Sequence, residues 1–292
     1  MINQIKKHSY VVLLLPSLLI SISVVLIPGI QTIYSSLTSW NGFSAEKTFI
    51  GLQNYIELFQ DEYFHIALKN NIVWMLLFLT IPVFMGMVMA LLLLHRKKGR
   101  NILQMIFLIP YVLAPVVTAM IFKNIIFNPT TGFIHFLNEL NAGLALKNPF
   151  TNKQFGIVAV AAVDMCHFWS YLMIIYLSAL RQTPQDQLEA ARLDGANFPQ
   201  LFFHVYLPNI KPTVSLMSIM IVIFSFLAFD YVNLITQGGP AHYTEVLATL
   251  AYTSAFSERK VGMASAISVV MSAFGLIASV VYTRLTLREE RD

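Results

Sequence analysis

The chain is 292 residues long, 57% apolar and only 12% charged, with a mean hydropathy of +0.66. These values lie outside the usual range of soluble globular chains and make lipid the solvent. Nineteen Lys and Arg against fifteen Asp and Glu give a net charge of +4, but membrane proteins gather basic residues on their cytoplasmic side, so the excess must be located before it is read as affinity for nucleic acid. The single cysteine, Cys166, excludes an internal disulfide framework and a Cys-rich metal site, and within an apolar run it reads as a small packing residue.

Six stretches reach the roughly 20 apolar residues that a helix needs to cross a bilayer: 10–33, 71–94, 102–127, 155–180, 213–235 and 262–285. The expected fold is therefore all-α and polytopic, with six transmembrane helices in one domain. The first stretch follows Lys6 and Lys7 as a signal peptide would. It is too long for an ordinary signal core, however, and ends in Ile27-Pro28-Gly29-Ile30 without a small-residue cleavage site, so it reads as a permanent span. With the N-terminus inside, the cytoplasm receives Lys6, Lys7, Arg96, Lys97, Lys98, Arg100, Arg181, Arg192, Lys211, Arg284, Arg288 and Arg291, twelve of the nineteen basic residues. That bias puts both termini in the cytoplasm, explains the basic pI by topology and removes nucleic acid from the expected partners.

Pro16, Pro28, Pro82, Pro110 and Pro115 fall within the spans and free carbonyls that lipid cannot satisfy, which calls for a packed bundle or a water-lined cavity. Gly86 and Ala90 have the small-xxx-small spacing of close helix approach. Between the first two spans, Leu52, Tyr55, Ile56, Phe59, Tyr63 and Ile66 recur at helical spacing, with Glu57, Asp61 and Glu62 on other faces. The pattern fits one amphipathic helix at the outer interface, or a packed loop helix without a ligand role.

Residues 181–212 are too polar to cross a membrane and too rich in helix formers to be a simple linker. Thr183-Pro184 offers an N-cap and a first-turn proline, Gln187 to Leu193 has strong helix propensity, and Gly195 suits a left-handed helix end. A second short helix over 198–206 is expected to stop at Leu207-Pro208, before Lys211-Pro212 opens the next span. Glu189, Arg192 and Asp194 beside Ala190 and Ala191 combine orienting charges with small residues, which suits docking into another protein's groove. A solvated connector would show the same pattern.

Glu189-Ala190-Ala191-Arg192-Leu193-Asp194-Gly195-Ala196, followed by Leu207-Pro208 and Pro212, resembles the EAA loop of the membrane subunits of bacterial ABC importers, in its carbohydrate-uptake, maltose-permease-like form. Phe49-Ile50-Gly51-Leu52-Gln53-Asn54-Tyr55 and Thr236-Gln237-Gly238-Gly239-Pro240 are further matches, and the resemblance runs from the first span onward. It implies a multi-pass permease of the bacterial cytoplasmic membrane whose loop helix docks between the lobes of an ABC ATPase. There Glu189 would pair with a basic residue, and Gly195 would permit the turn between the two loop helices. It also implies a second homologous permease as heterodimer partner, two ATPase domains and an extracytoplasmic solute-binding protein. The chain carries no G-x-x-x-x-G-K-[ST] phosphate loop, so ATP and Mg²⁺ are expected on the partner ATPases, with no catalytic residue, cofactor or metal here.

On the fourth span Asp164, His167, Phe168, Tyr171 and Ile175 share one helix face. Hydrogen-bonding groups mixed with aromatic rings are what a sugar needs, although a polar seam between helices has the same composition. On the fifth span the resemblance puts pocket-lining positions at Ile221, Phe224, Ser225 and Ala228, which share a face by their spacing. Asp230 is expected on the opposite face, toward another helix or the partner permease, while Trp169 and Lys123 read equally well as membrane anchors. The expected cargo is a sugar or oligosaccharide, with glycerol phosphate and other polyol-like solutes as the alternative. An ion-gradient-driven transporter would show internal repeats and paired intramembrane charges, and the chain shows neither.

Overall fold

In hydrocarbon every backbone N–H and C=O must be paired within its own segment or by a close neighbour. The computed structural model, which describes residues 14–96, 98–141 and 146–289, accordingly contains helices and no strand among those residues, apart from one antiparallel bridge between Thr38 and Phe49. Residues 10–13 of the first expected span, and Lys6, Lys7, Lys97 and Arg291, lie outside the described residues. The helices are α1 (Leu14–Ser36), α2 (Gln53–Gln60), α3 (Glu62–His95), α4 (Arg100–Val112), α5 (Pro115–Ile126), α6 (Phe133–Leu140), α7 (Gly156–Arg181), α8 (Gln185–Leu193), α9 (198–226), α10 (Asp230–Ile235), α11 (Leu247–Tyr252) and α12 (Val261–Glu289).

Five helical stretches are long and apolar enough to cross a membrane: α1, α3, α7, Phe198–Ile235 and the Val261–Arg284 part of α12. The third expected span is not straight. It is the pair α4 and α5, bent by 81°. The break follows from Pro115, whose ring pushes the preceding Ala114 to extended dihedrals (φ −60°, ψ 140°). The outer amphipathic stretch is also two pieces, because Asp61 is extended (ψ 125°) between α2 and α3. Tyr63 and Ile66 therefore belong to a different helix from Leu52, Ile56 and Phe59. The buried side chains of α2 are Asn54 and Leu58, whereas Leu52, Ile56 and Phe59 are exposed.

The chain divides into two compact units, one built from the described residues up to Asp61 with Leu250–Val270, the other from Glu62–Thr249 with the described part of 271–292. In the first unit, Asn54 Nδ2 donates to the carbonyls of Ser36 (2.7 Å) and Thr38 (2.9 Å), and the Tyr55 and Ser36 hydroxyls lie 2.8 Å apart. The Gly262 N–H donates to Trp40 O (3.0 Å), and any Cβ on Gly262 would run into the Thr38 carbonyl. Through Asn54 and Tyr55, the segment Phe49 to Tyr55 thus holds the end of α1, while Phe49 and Leu52 stay exposed.

In the second unit α7 is the central helix, with Val160, Ala161, Leu172, Met173 and Tyr176 fully buried. Its main neighbour is α3. At their crossing a methyl on Gly86 would lie 2.8 Å from Leu172 Cβ and 3.1 Å from the Met173 backbone nitrogen, and Ala90 one turn on is fully buried. The small-xxx-small pair therefore does set a close backbone approach. Trp74 and Phe78 on α3 complete this core, and Phe226 stacks on Phe274 at 4.4 Å.

Candidate functional site

Two clusters hold the residues singled out from the sequence. The first is 181–212. Thr183 does not cap α8: Pro184 occupies the N-cap position with no side-chain cap, and the Thr183 hydroxyl is buried without a hydrogen-bond partner. The other end of α8 behaves as expected. Gly195 has φ +80°, the Gly195 N–H donates to Arg192 O (3.1 Å) and the Ala196 N–H to Ala191 O (3.0 Å), a complete Schellman closure. Asn197 and Gln200 then cap the next helix reciprocally, at 3.1 and 2.8 Å.

The expected stop at Leu207-Pro208 does not occur. The helix starting at Phe198 runs through Pro208 and Pro212 to Phe226, with a π-turn at Phe202–Tyr206. The π-turn explains the continuity. It closes with the Leu207 N–H on Phe202 O, and the wider turn precedes the residue whose missing N–H and bulky ring would otherwise disrupt the ladder. The same device precedes Pro28 in α1, where the π-turn is Ile22–Leu26.

The segment is tied down from behind and open in front. Leu188, Leu201 and Tyr206 are buried, the His95 ring meets Phe198 and Tyr206 at 5.3 and 6.5 Å, and Asn209 Nδ2 donates to Gln187 Oε1 at 2.8 Å. On the free side Glu189, Ala190, Arg192, Asp194 and Gly195 are exposed, Ala191 is half-buried, and Leu193 is 89% exposed. Glu189 accepts a bond from Gln185 Nε2 (3.0 Å), which pre-orients its carboxylate without neutralising it.

The second cluster is a cavity of about 100 Å³ lined by Trp74, Phe78, Asp164, Phe168, Ile221, Phe224, Ser225 and Ala228. Six of these eight were candidates from the sequence, so the stripes of the fourth and fifth spans do converge. His167 and Tyr171 do not line it. They turn to Tyr111 on α4, whose ring lies 4.9 Å from His167 and stacks on Tyr171 at 5.3 Å. Rings continue from the cavity to this second group through Trp74, Phe78, Phe168 and Tyr171, with neighbours 5.4–5.8 Å apart. His167 Nδ1 is buried without a hydrogen-bond partner and sits 3.7 Å from Asp164 Oδ1, outside hydrogen-bond range.

Asp230 is not on the opposite face of the Phe224 helix, because that helix ends at Phe226. After a break at 227–229, Asp230 opens α10 and is exposed. Lys123 Nζ donates to Leu234 O (3.0 Å) near the end of α10. Trp169 packs edge-on against Phe107.

Sequence reasoning missed Trp74, Phe78 and Asn71. Asn71 is fully buried: its Nδ2 donates to Ser225 O (2.6 Å) and its Oδ1 accepts from the Leu247 N–H (2.8 Å), which fixes the cavity wall at Ser225. The signal available was the amide pair Asn70-Asn71 at the start of a long apolar run, where an unpartnered amide would be costly. Asn70 uses its amide in a similar way, donating to the carbonyls of Tyr243 (3.0 Å) and Glu245 (2.7 Å), and so holds the loop that follows Thr236-Gln237-Gly238-Gly239-Pro240.

An all-α membrane subunit with an exposed, rigidly mounted polar helix pair and a small aromatic cavity between its central helices is the architecture of a transporter subunit. Residues 82–291 match the family model described as binding-protein-dependent transport system inner membrane component, and the chain belongs to that family as a permease subunit of an ABC importer. It is 35% identical over 286 residues to the probable ABC transporter permease protein YurN of Bacillus subtilis, covering 96% of each chain. It is 29% identical to the multiple sugar-binding transport system permease protein MsmF of Streptococcus mutans, covering 90% of each. In fold it is similar to a chain of a bacterial ABC transporter involved in import of the acidic polysaccharide alginate, with a TM-score of 0.81 at 23% identity over 97% of this chain and 98% of that one.

Proposed function

We propose that this chain is one half of a permease heterodimer that carries a sugar or oligosaccharide across the cytoplasmic membrane, driven by a separate ABC ATPase docked on residues 181–212. The observation that carries the reading is the mounting of α8. Leu188 anchors it in the core while Glu189, Arg192 and the 89% exposed Leu193 face outward from a segment closed by Gly195 at φ +80°. Burial of Leu193 in a partner's groove would contribute about 1.5–3 kcal/mol to docking.

In this reading both termini and the 181–212 loop are cytoplasmic, and ATP and Mg²⁺ belong to two partner ATPase domains. An extracytoplasmic solute-binding protein delivers the cargo. Closure of the ATPases on ATP moves the docked α8, and α9 transmits the motion because it runs unbroken from Phe198 to Phe226, so the far end of the lever reaches Phe224 and Ser225 at the cavity. The aromatic lining supports a solute with an apolar ring face, and a sugar-transport relative supports the same class.

The test is uptake into proteoliposomes holding the assembled complex, with and without a functional ATPase. Uptake should require ATP hydrolysis and vanish with a hydrolysis-deficient ATPase. Uptake that instead follows an imposed ion gradient would count against the reading.

A further inference from the structure

The cavity's lining holds, among the described residues, one carboxyl group, no cation and, as its one N–H side chain, the uncharged indole of Trp74. Its only acidic or basic lining residue, among the described ones, is Asp164; no Lys, Arg or His contributes to its wall. Its one hydroxyl proton is already engaged, because Ser225 Oγ donates to Ile221 O at 2.7 Å, which leaves that oxygen to act as an acceptor. Trp74, Phe78, Phe168 and Phe224 supply ring faces, whose π-electrons are electronegative and attract cations or C–H groups rather than anions. α10, which packs against α7, opens with the exposed carboxylate of Asp230. His167 keeps its Nδ1 3.7 Å from Asp164, and its ring lies against Tyr111, outside the cavity lining.

We infer that Asp164 is a charge filter in the pathway: it admits solutes that bring their own hydroxyl or amino protons and rejects those carrying a carboxylate or a phosphate. A neutral sugar hydroxyl finds an acceptor at Asp164 and a ring face to stack on. A uronate or a phosphorylated polyol brings a negative charge to a wall that holds a carboxyl group and ring faces and no cation to meet it, a juxtaposition that low-dielectric surroundings make costly. The inference rests on the proposal that this cavity belongs to the translocation pathway, and it narrows the cargo to uncharged or cationic polyhydroxyl solutes.

The test needs no knowledge of the cargo. Cys166 is replaced by Ser and a thiol introduced as Ala228→Cys in the assembled importer in proteoliposomes. A cationic and an anionic methanethiosulfonate reagent of similar size are applied at rest and during ATP turnover, and modification is read from the intact mass of this chain. Phe224→Cys provides the second reporter should Ala228→Cys fail to assemble. The cationic reagent should react at least about tenfold faster than the anionic one, relative to their ratio on a free thiol in solution, and Asp164→Asn should collapse that preference. Equal relative rates with Asp164 present, or a preference that survives Asp164→Asn, would overturn the filter while leaving the pathway intact. A thiol that neither reagent reaches in either state would remove the cavity from the pathway, and the filter with it.

Discussion

The two clusters treat polar groups in opposite ways. In 181–212 the turn between α8 and α9 is closed by the Gly195 Schellman turn and the Asn197–Gln200 cap, and the charges of Glu189, Arg192 and Asp194 are held out in solvent. Around the cavity the polar groups are few and drawn inward: Asn71 is fully buried with both amide ends bonded, and Asp164 faces an aromatic wall. In the proposed reading the first arrangement is met by a protein, its recognition groups presented on a fixed base. The second, in the same reading, is met by a small solute, its recognition groups lying between helices. Their shared part is α9, which starts in one cluster and ends in the other.

The comparison breaks most easily at Glu189. Glu189→Lys puts like charge against a basic docking partner and should lower ATP-driven uptake by at least about tenfold, with the fold of this subunit unchanged because the side chain is exposed. Native-like retention on the ATPase in a pull-down, together with normal uptake, would remove 181–212 from the coupling path. The helix frame comes next. Gly86→Val has no room beside Leu172 Cβ and the Met173 backbone and should destabilise the folded subunit by at least about 2 kcal/mol, seen as a lower unfolding temperature in detergent. An unshifted transition would mean that the α3–α7 crossing is looser than 2.8 Å implies.

Smaller effects sharpen the picture. Tyr171→Ala removes the stacking on Tyr111 and the tilted contact with Phe168 of the cavity wall, so it should raise the transport KM by about three- to tenfold while the complex still assembles. Parental kinetics would reduce the Tyr111–Tyr171–His167 group to packing. Gly195→Ala meets no neighbour within 4 Å but must adopt φ +80°, so a cost of about 1 kcal/mol is expected, with a slight loss of coupling efficiency. A larger loss would show that the turn itself moves during transport.

Much of this was legible before any coordinates. The apolar runs pointed to six spans, met by five long apolar helices and one bent pair, and the polarity of 181–212 marked it as a structured segment between spans, because both are properties of local sequence. What was not legible depends on backbone or tertiary detail. A hydropathy sum over 102–127 cannot see that Pro115 forces Ala114 out of the helix and bends the span by 81°. Leu207-Pro208 reads as a stop unless a π-turn immediately precedes it, and nothing in Phe202 to Tyr206 announces one. Likewise the fourth-span stripe looked like one surface. It splits because Tyr111, from a different helix, captures His167 and Tyr171 and leaves Asp164 and Phe168 to the cavity. Trp74 and Phe78 joined the site from α3, whose face could be assigned only once its partner was known.

The central claim is that 181–212 is the lever through which an ATPase drives the cavity. Substrate-stimulated ATP turnover by the reconstituted complex carrying Glu189→Lys tests it most directly. The account predicts that basal hydrolysis persists while stimulation by loaded binding protein disappears. Stimulation at the parental level would contradict it.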